Sequence, residues 1–245
     1  MRFIYLFIFY IFFYGCSINP KIPINRYHTS ESLGEGVSSQ LFLGGSSDIN
    51  IESDLASSPI DLTPGNLGTS LTPGAGLDFS VFDSFDIGLD YALSGPFRLK
   101  ANWQLLGDSR KDAKMWSYSL ALLGSAGTSI QSRTLRANNG STRVFWIGSV
   151  YHDYEAAAGL RVIDALQLTV GAWYAKYGID VDMGSVQIDT KGEVKGYHLL
   201  ASYYFPNMAI KLDIAKYWNY YQDRSDDMLD SDKGLQFGLA VDFNF

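Results

Sequence analysis

Three histidines, His28, His152 and His198, are the side chains best suited to acid–base chemistry near neutral pH. His152 precedes Asp153 and follows Ser149 by three residues, a combination that could supply a Ser–His pair for nucleophilic catalysis. In a β-strand, however, residues of odd and even number point to opposite faces, so Ser149 and His152 would be separated. The sequence therefore predicts no catalytic residues.

The acidic segment 223–232 also suggests binding chemistry, because its five aspartates could ligate a divalent cation. It lacks the glycine at the sixth position and the final glutamate that complete an EF-hand loop. The sequence contains no cysteine–histidine cluster with zinc-ligand spacing and no glycine-rich phosphate-binding loop. We therefore predict neither a metal ion nor a cofactor.

Alternating apolar and polar residues occupy much of the chain, a pattern typical of β-strands with one apolar and one polar face. Asp83-Ser84 and Pro206-Asn207 indicate tight turns, whereas 45–73, 125–141 and 223–233 are expected to be loops. The predicted strands are approximately residues 35–44, 74–82, 85–93, 97–105, 114–124, 143–162, 166–183, 193–205, 208–222 and 236–245.

The last predicted strand is the most distinctive, because large apolar residues occupy every second position from 235 to the aromatic at 245. A strand of this kind, with Phe237, Val241, Phe243 and Phe245 on its apolar face, resembles the closing strand of bacterial outer-membrane β-barrels. The resemblance implies an all-β, transmembrane, antiparallel up-and-down barrel of about ten strands, with eight as the alternative. It also implies that these four residues form the signal read by the barrel-insertion machinery.

The N-terminal residues have the features of a secretory signal. The apolar run Phe3–Tyr14 follows one positive charge and is too short to span a bilayer, which needs roughly 20 residues. Cys16, between Gly15 and Ser17, gives a sequence that resembles a bacterial lipoprotein signal and implies lipidation of that cysteine. Simple cleavage nearby and an uncleaved segment are the alternatives. We predict a signal peptide at 1–15, a lipid-anchored linker at 16–34 and the barrel at 35–245.

Charged residues fall on the polar faces of the predicted strands, which would line the lumen of a barrel. Outward placement would cost about 2–4 kcal/mol for each Arg or Lys at mid-depth in lipid. Two interpretations remain open: a lumen closed by its own salt bridges, or a narrow polar path for ions or small solutes. The residues of this predicted lumen charge network are Asp78, Asp86, Asp90, Arg98, Lys100, Glu155, Arg161, Lys211, Asp213 and Asp242.

Composition limits the possible functions. A net charge of −7 argues against nucleic acid as a partner, and an aromatic content of 15% fits girdles at two membrane interfaces. We expect a monomeric, non-enzymatic barrel in the bacterial outer membrane, with a structural or surface-interaction role and in contact with membrane lipid and lipopolysaccharide. The alternatives are a small-solute or ion channel, a lipid-modifying hydrolase and a soluble periplasmic β-sandwich lipoprotein.

Overall fold

A computed structural model describes residues 19–54, 61–136, 142–182, 187–223 and 227–245, and the regular structure in these ranges consists of β-strands. The strands are β1 (Lys21–Pro23), β2 (Val37–Asp54), β3 (Asp61–Phe82), β4 (Phe85–Ala92), β5 (Phe97–Leu106), β6 (Tyr118–Arg136), β7 (Thr142–Ile163), β8 (Leu166–Asp182), β9 (Gln187–Phe205), β10 (Met208–Asp223) and β11 (Met228–Asn244). In the described part of the chain, no helix is long and apolar enough to cross a membrane.

Ten of the strands, β2 to β11, form a closed antiparallel barrel in which each strand pairs with its neighbours in sequence. The strand β11 closes the barrel on β2, from the pair Leu239 and Leu43 to the pair Asn244 and Ser38. This seam is possible because both strands keep one face apolar and one face polar along the paired stretch. The predicted all-β, ten-stranded, up-and-down barrel is confirmed.

The two ends of the barrel differ. At one end, here called the turn end, Asp83-Ser84 and Pro206-Asn207 join neighbouring strands by tight turns, and the chain terminates at Phe245. At the other end, here called the hairpin end, β4 and β5 are joined by residues 93–96, while β6 to β11 run several residues farther. Because β2 and β3 also extend in this direction, the wall is lowest at β4 and β5.

On β8 to β10, the outer wall is apolar near the turn end and more polar toward the hairpin end. In β8, Leu168 and Val170 are exposed on the outside, but Lys176 takes the outward position six residues after Val170. Beyond this point the apolar side chains, such as Tyr177 and Ile179, are buried inside the barrel. An apolar outer face is suited to lipid, whereas a wall surrounded by water keeps its apolar side chains inside. The change of face marks the edge of an apolar outer band, which is expected to face lipid and is here called the lipid-facing band.

Strands occupy several regions that the sequence predicts as loops. Residues 45–54 and 61–73 belong to β2 and β3, residues 125–136 continue β6, and residues 228–233 begin β11. These extensions lie largely beyond the lipid-facing band, where the outer face need not be apolar. The alternation that identifies a membrane strand is therefore absent there, although the backbone still pairs with its neighbours.

Residues 19–34, here called the lumen segment, run inside the barrel from the hairpin end to the turn end. Near the hairpin end, β1 pairs with β2 around Asp48, and near the turn end the Leu33 N–H donates to Asp86. Gly34 and Gly36, both with a φ of +81°, then turn the chain into β2. The linker predicted at 16–34 is thus, in its described part, an element buried in the lumen. The predicted signal peptide 1–15 and Cys16 lie outside the described residues.

Candidate functional site

The ten charged residues of the predicted lumen network lie on the inner faces of the barrel strands. Nine of them are buried, and Asp78 is half-buried. Their strand positions alternate with apolar residues of the outer face, because successive side chains of a strand point to opposite sides of the wall. The structure divides them into several groups and adds partners from the lumen segment.

One group links β3, β4 and β5. The pairing register places Asp90 opposite Arg98, and Arg98 Nε and Nη2 donate to the two Asp90 carboxylate oxygens at 2.7 and 2.8 Å. Lys100 Nζ lies 2.9 Å from an Asp78 oxygen and 3.7 Å from Asp90. Bidentate arginine–carboxylate pairs are among the strongest hydrogen-bonded ion pairs. This group therefore joins three neighbouring strands through buried charge.

A second group fixes the middle of the lumen segment to the seam between β2 and β11. Lys211 Nζ lies 2.5 Å from Asp242 and donates to the backbone oxygen of Tyr27 at 2.7 Å. The Tyr27 hydroxyl donates to the Leu43 oxygen and lies against Gly44 and Gly238. A Cβ at either glycine would stand 2.2 Å from this hydroxyl oxygen, so only glycine permits this close approach.

A third group fixes the lumen segment near the turn end. Arg161 Nε and Nη2 donate to the carboxylate of Glu31 at distances from 2.6 to 3.1 Å. The Arg161 guanidinium lies 4.2 Å from the ring centroid of Tyr204, and both Glu31 and Arg161 are buried. Buried charges are tolerated when they are paired and hydrogen-bonded, as these are.

Asp213 is the centre of a fourth group. It lies 2.8 Å from His198 Nδ1, and His198 Nε2 lies 2.8 Å from Glu155. Asp213 also accepts hydrogen bonds from Asn25 Nδ2 at 2.6 Å and from the backbone N–H of Arg26 at 3.1 Å. Both nitrogens of the imidazole are occupied by carboxylates, so the ring presents no free nitrogen to a substrate. The arrangement suits a structural cross-link.

Arg26 occupies the middle of the lumen. Its guanidinium forms an ion pair with Asp153, donates to the Tyr151 hydroxyl at 2.9 Å and lies 4.2 Å from the ring centroid of Trp173. Cation–π contacts of this kind strengthen when they are removed from water. The residue therefore joins the charged groups near the turn end to an apolar region nearer the hairpin end.

That apolar region fills the part of the lumen that is nearer the hairpin end. Beyond Leu43, β2 pairs with β1 instead of β11, and Asn219 on the inner face of β10 donates to the Ser47 hydroxyl at 2.7 Å. This part of β2 and the lumen segment thus contribute to one buried cluster. Its members are Ile22, Ile24, Ile49, Ile147, Tyr151, Trp173, Ala175, Tyr177, Ile179, Val181, Val194, Ala215, Tyr217 and Tyr221.

A polar cavity of about 40 Å³ remains between the lumen segment and the wall near the turn end. It has room for a few water molecules. Asn102 Oδ1, Asp86 Oδ1 and Arg110 Nε are buried beside it without a hydrogen-bonding protein partner. Buried polar atoms in this situation are commonly satisfied by ordered water.

The residues weighed for catalysis are not brought together. Ser149 is buried on the inner face and shares a hydrogen bond with Ser129, whereas His152 is on the outer face and its ring contacts Tyr154. The aspartates of the acidic segment that fall in β11 are used structurally: Asp230 accepts from the Leu67 N–H, and Asp232 accepts from the Tyr217 hydroxyl. Among the described residues, no group of three His, Cys, Asp or Glu side chains could hold a metal ion.

The lumen segment is the main feature that sequence reasoning misses. Its residues have neither the period of a strand nor that of a helix, and its partners are more than 80 residues away for Arg26, Glu31 and Ser30. A usable signal is the inward row Trp173, Tyr177, Ile179 and Val181, because large apolar residues on a lumen face need an apolar partner inside the barrel.

Comparisons with known proteins give structural neighbours only. No protein-family model matches the chain, and no curated protein matches it. Matching solved structures include Ail from Yersinia pestis, at 11% identity over 86% of this chain and 99% of that one, with a TM-score of 0.33. Neisserial surface protein A matches at 13% identity over 86% and 98% of the two chains, with a TM-score of 0.33. The N-terminal β-barrel domain of OprF from Pseudomonas aeruginosa matches at 13% identity over 86% and 99%, with a TM-score of 0.31. At these values the similarity assigns no function.

Proposed function

We propose that this protein is a bacterial outer-membrane β-barrel whose lumen is closed by its own N-terminal segment. We further propose that its role is structural or surface interaction, without channel or enzyme activity. The apolar band on the outer wall supports the membrane location, because exposed apolar strands of this kind are suited to lipid. The ordered C-terminal strand, which ends in Phe243 and Phe245, supports entry through the barrel-insertion machinery.

The observation that carries the closed-lumen proposal is the position of the lumen segment. It follows the barrel interior from Pro20, which accepts from the Ile49 N–H, to Leu33, which donates to Asp86. A solute would have to displace its contacts with β2, β4, β5, β7, β10 and β11. Several of these are buried ion pairs, which are costly to break because one charge is left without a partner.

The hairpin end supports a role at the membrane surface. There the strands β6 to β11 rise beyond the lipid-facing band and hold an apolar core inside, so they form a rigid, water-exposed extension of the barrel. A rigid surface reduces the entropy lost when a partner binds.

Planar-bilayer recording tests the closed lumen. We expect the wild-type barrel to give no steady current, and a variant that lacks residues 19–33 to give measurable current if its barrel assembles. Assembly of both proteins is checked by the shift in electrophoretic mobility on boiling. Steady, ion-selective current through the wild type would contradict the proposal and favour the channel interpretation.

A further inference from the structure

Four lysines point outward from four consecutive strands. Lys176, Lys195, Lys216 and Lys233 lie on β8, β9, β10 and β11, and all four are exposed. The pairing registers place them within a few residues of one another along the wall: Lys195 is opposite Trp218, and Trp218 is opposite Lys233. They lie at the edge of the lipid-facing band that is nearer the hairpin end, where the outer face of these strands changes from apolar to polar.

These lysines form no close ion pairs within the described ranges: Glu193, which the register places opposite Lys176, accepts a hydrogen bond from the Tyr174 hydroxyl at 2.6 Å instead. None of the four nitrogens lies within 4.0 Å of a carboxylate in the described part of the chain. Three of them lie over aromatic rings instead: Lys176 is 5.8 Å from the Tyr174 centroid, Lys195 is 5.1 Å from Tyr220 and Lys216 is 5.6 Å from Trp218. The rings hold the lysine stems against the wall while the ammonium groups stay available to an anion.

An apolar groove of about 630 Å³ leads down the outer wall from this cluster. Its floor is formed by the small side chains Ala156, Ala158 and Ala172, and Lys216 lies at its margin. Leu120, Leu199, Ile214 and Leu235 also line it. The groove meets a second cleft, lined by Lys195, Tyr197, Trp218 and Tyr220, because Tyr197 lines both.

We propose that this part of the outer wall is a binding site for a phosphorylated lipid. One acyl chain lies in the apolar groove over Ala156 and Ala172, and the phosphate lies against Lys195 and Lys216, with Lys176 and Lys233 on either side. The combination is specific in chemistry: a groove alone would accept any chain, and lysines alone would accept any anion. Only a lipid with a phosphate near the start of its chains satisfies both.

The identity of the lipid rests on the proposed function. If the barrel lies in the outer membrane with its hairpin end outside, the lysines face the outer leaflet, and the lipid is the phosphorylated lipid A part of lipopolysaccharide. A lysine near a charged lipid surface contributes about fivefold in affinity, so two lysines contribute roughly 30-fold.

The test is titration of the purified full-length barrel in detergent with lipid A, with the bound fraction measured by native mass spectrometry. We expect the double variant Lys195→Gln/Lys216→Gln to bind lipid A roughly 30-fold more weakly than the wild type. The matched control, Lys111→Gln/Lys114→Gln, removes the same charge at the turn end and should leave binding unchanged. Equal binding by both double variants would overturn the proposal.

Two further measurements separate the lipid from a free anion. Filling the groove with Ala156→Leu/Ala172→Leu should weaken lipid A binding, whereas Ala201→Leu, on the outer face but outside the groove, should not. Inorganic phosphate should fail to displace lipid A at equal concentration. Unchanged binding after the groove is filled, or displacement by phosphate, would overturn the lipid assignment.

The variants change only outward side chains, so boiling-dependent mobility should show assembled barrels throughout. Failure of lipid binding would leave the conductance result, and with it the closed-lumen proposal, unaffected.

Discussion

The ion pair between Arg161 and Glu31 is the strongest single attachment of the lumen segment to the barrel wall near the turn end. Both side chains are buried, and Glu31 accepts three hydrogen-bond contacts from the Arg161 guanidinium. Glu31→Ala would leave the Arg161 charge buried without its carboxylate. We expect it to lower the free energy of unfolding by about 3–5 kcal/mol, measured by urea denaturation in detergent micelles.

The exposed pair between Lys111 and Glu35 is the matched control for this variant. Lys111 Nζ lies 2.6 Å from Glu35, but both side chains are largely exposed to water. Lys111→Ala should therefore leave the unfolding midpoint unchanged within error, since exposed pairs contribute little. If Glu31→Ala is as mild as Lys111→Ala, the lumen is hydrated and the closed-lumen interpretation is wrong.

The position of a charged lumen residue is predictable from the sequence when the residue lies on a barrel strand, but not when it lies in the lumen segment. Charges such as Arg98 and Lys211 alternate with lipid-facing apolar residues, so their inward position follows from strand geometry alone. Glu31 and Arg26 lie in a segment without periodicity, and their partners come from strands about 130 residues later. Only the closed fold brings these residues together, so nothing local in the sequence predicts their pairing.

The closing strand β11 completes the barrel through its pairing with β2. At its end, the Phe245 N–H donates to the Val37 oxygen and the Phe245 oxygen accepts from the Val37 N–H, at 2.9 and 3.2 Å. Deleting Phe245 removes both hydrogen bonds, worth roughly 1–3 kcal/mol together, at the point where the barrel closes. We expect less assembled protein in membranes, measured as the fraction that shifts in mobility on boiling.

Substitution separates the side chain from the backbone at this position. Phe245→Ala keeps both hydrogen bonds and removes only the aromatic ring. An assembly defect shared by the deletion and by Phe245→Ala would assign the effect to the ring, as the resemblance to an insertion signal implies. Normal assembly of the deletion variant would show that the seam does not depend on this residue.

Strands inside the lipid-facing band are predictable, and strands beyond it are not. The predictions for β4 and β5 fall within one residue of the observed bounds, because lipid outside and charge inside enforce strict alternation. The parts of β2 and β3 nearer the hairpin end are instead rich in Gly, Ser and Pro. In this part, β2 pairs with β1 of the lumen segment. Small residues accommodate that close neighbour and at the same time remove the sequence pattern of a strand.

The contacts of Asn19 and Lys21 locate the start of the lumen segment in the barrel. The Lys21 N–H donates to the Ser94 oxygen in the short β4–β5 connection, and Asn19 Nδ2 donates to the Asn50 side chain. Both contacts lie at the hairpin end, although β2 itself begins at the turn end. Asn19, the first described residue, therefore lies at the hairpin end, across the barrel from Phe245.

This geometry gives a prediction for the whole molecule in its membrane. If the turn end faces the periplasm, as in barrels with short periplasmic turns, Asn19 lies on the outer side of the cell. In a Cys16→Ser background, Asn19→Cys should react with a membrane-impermeant maleimide on intact cells. Asn207→Cys, in a turn-end connection, should react only after the outer membrane is permeabilised.

The two cysteines distinguish the possible arrangements, because they report opposite ends of one barrel. Labelling at Asn19→Cys alone would support a lumen segment whose first described residue lies on the outer side of the cell. Labelling at Asn207→Cys alone would show that the barrel is inverted. Protection of both positions until permeabilisation would mean that Asn19 does not lie on the outer side, and that the lumen segment does not keep this path in the cell.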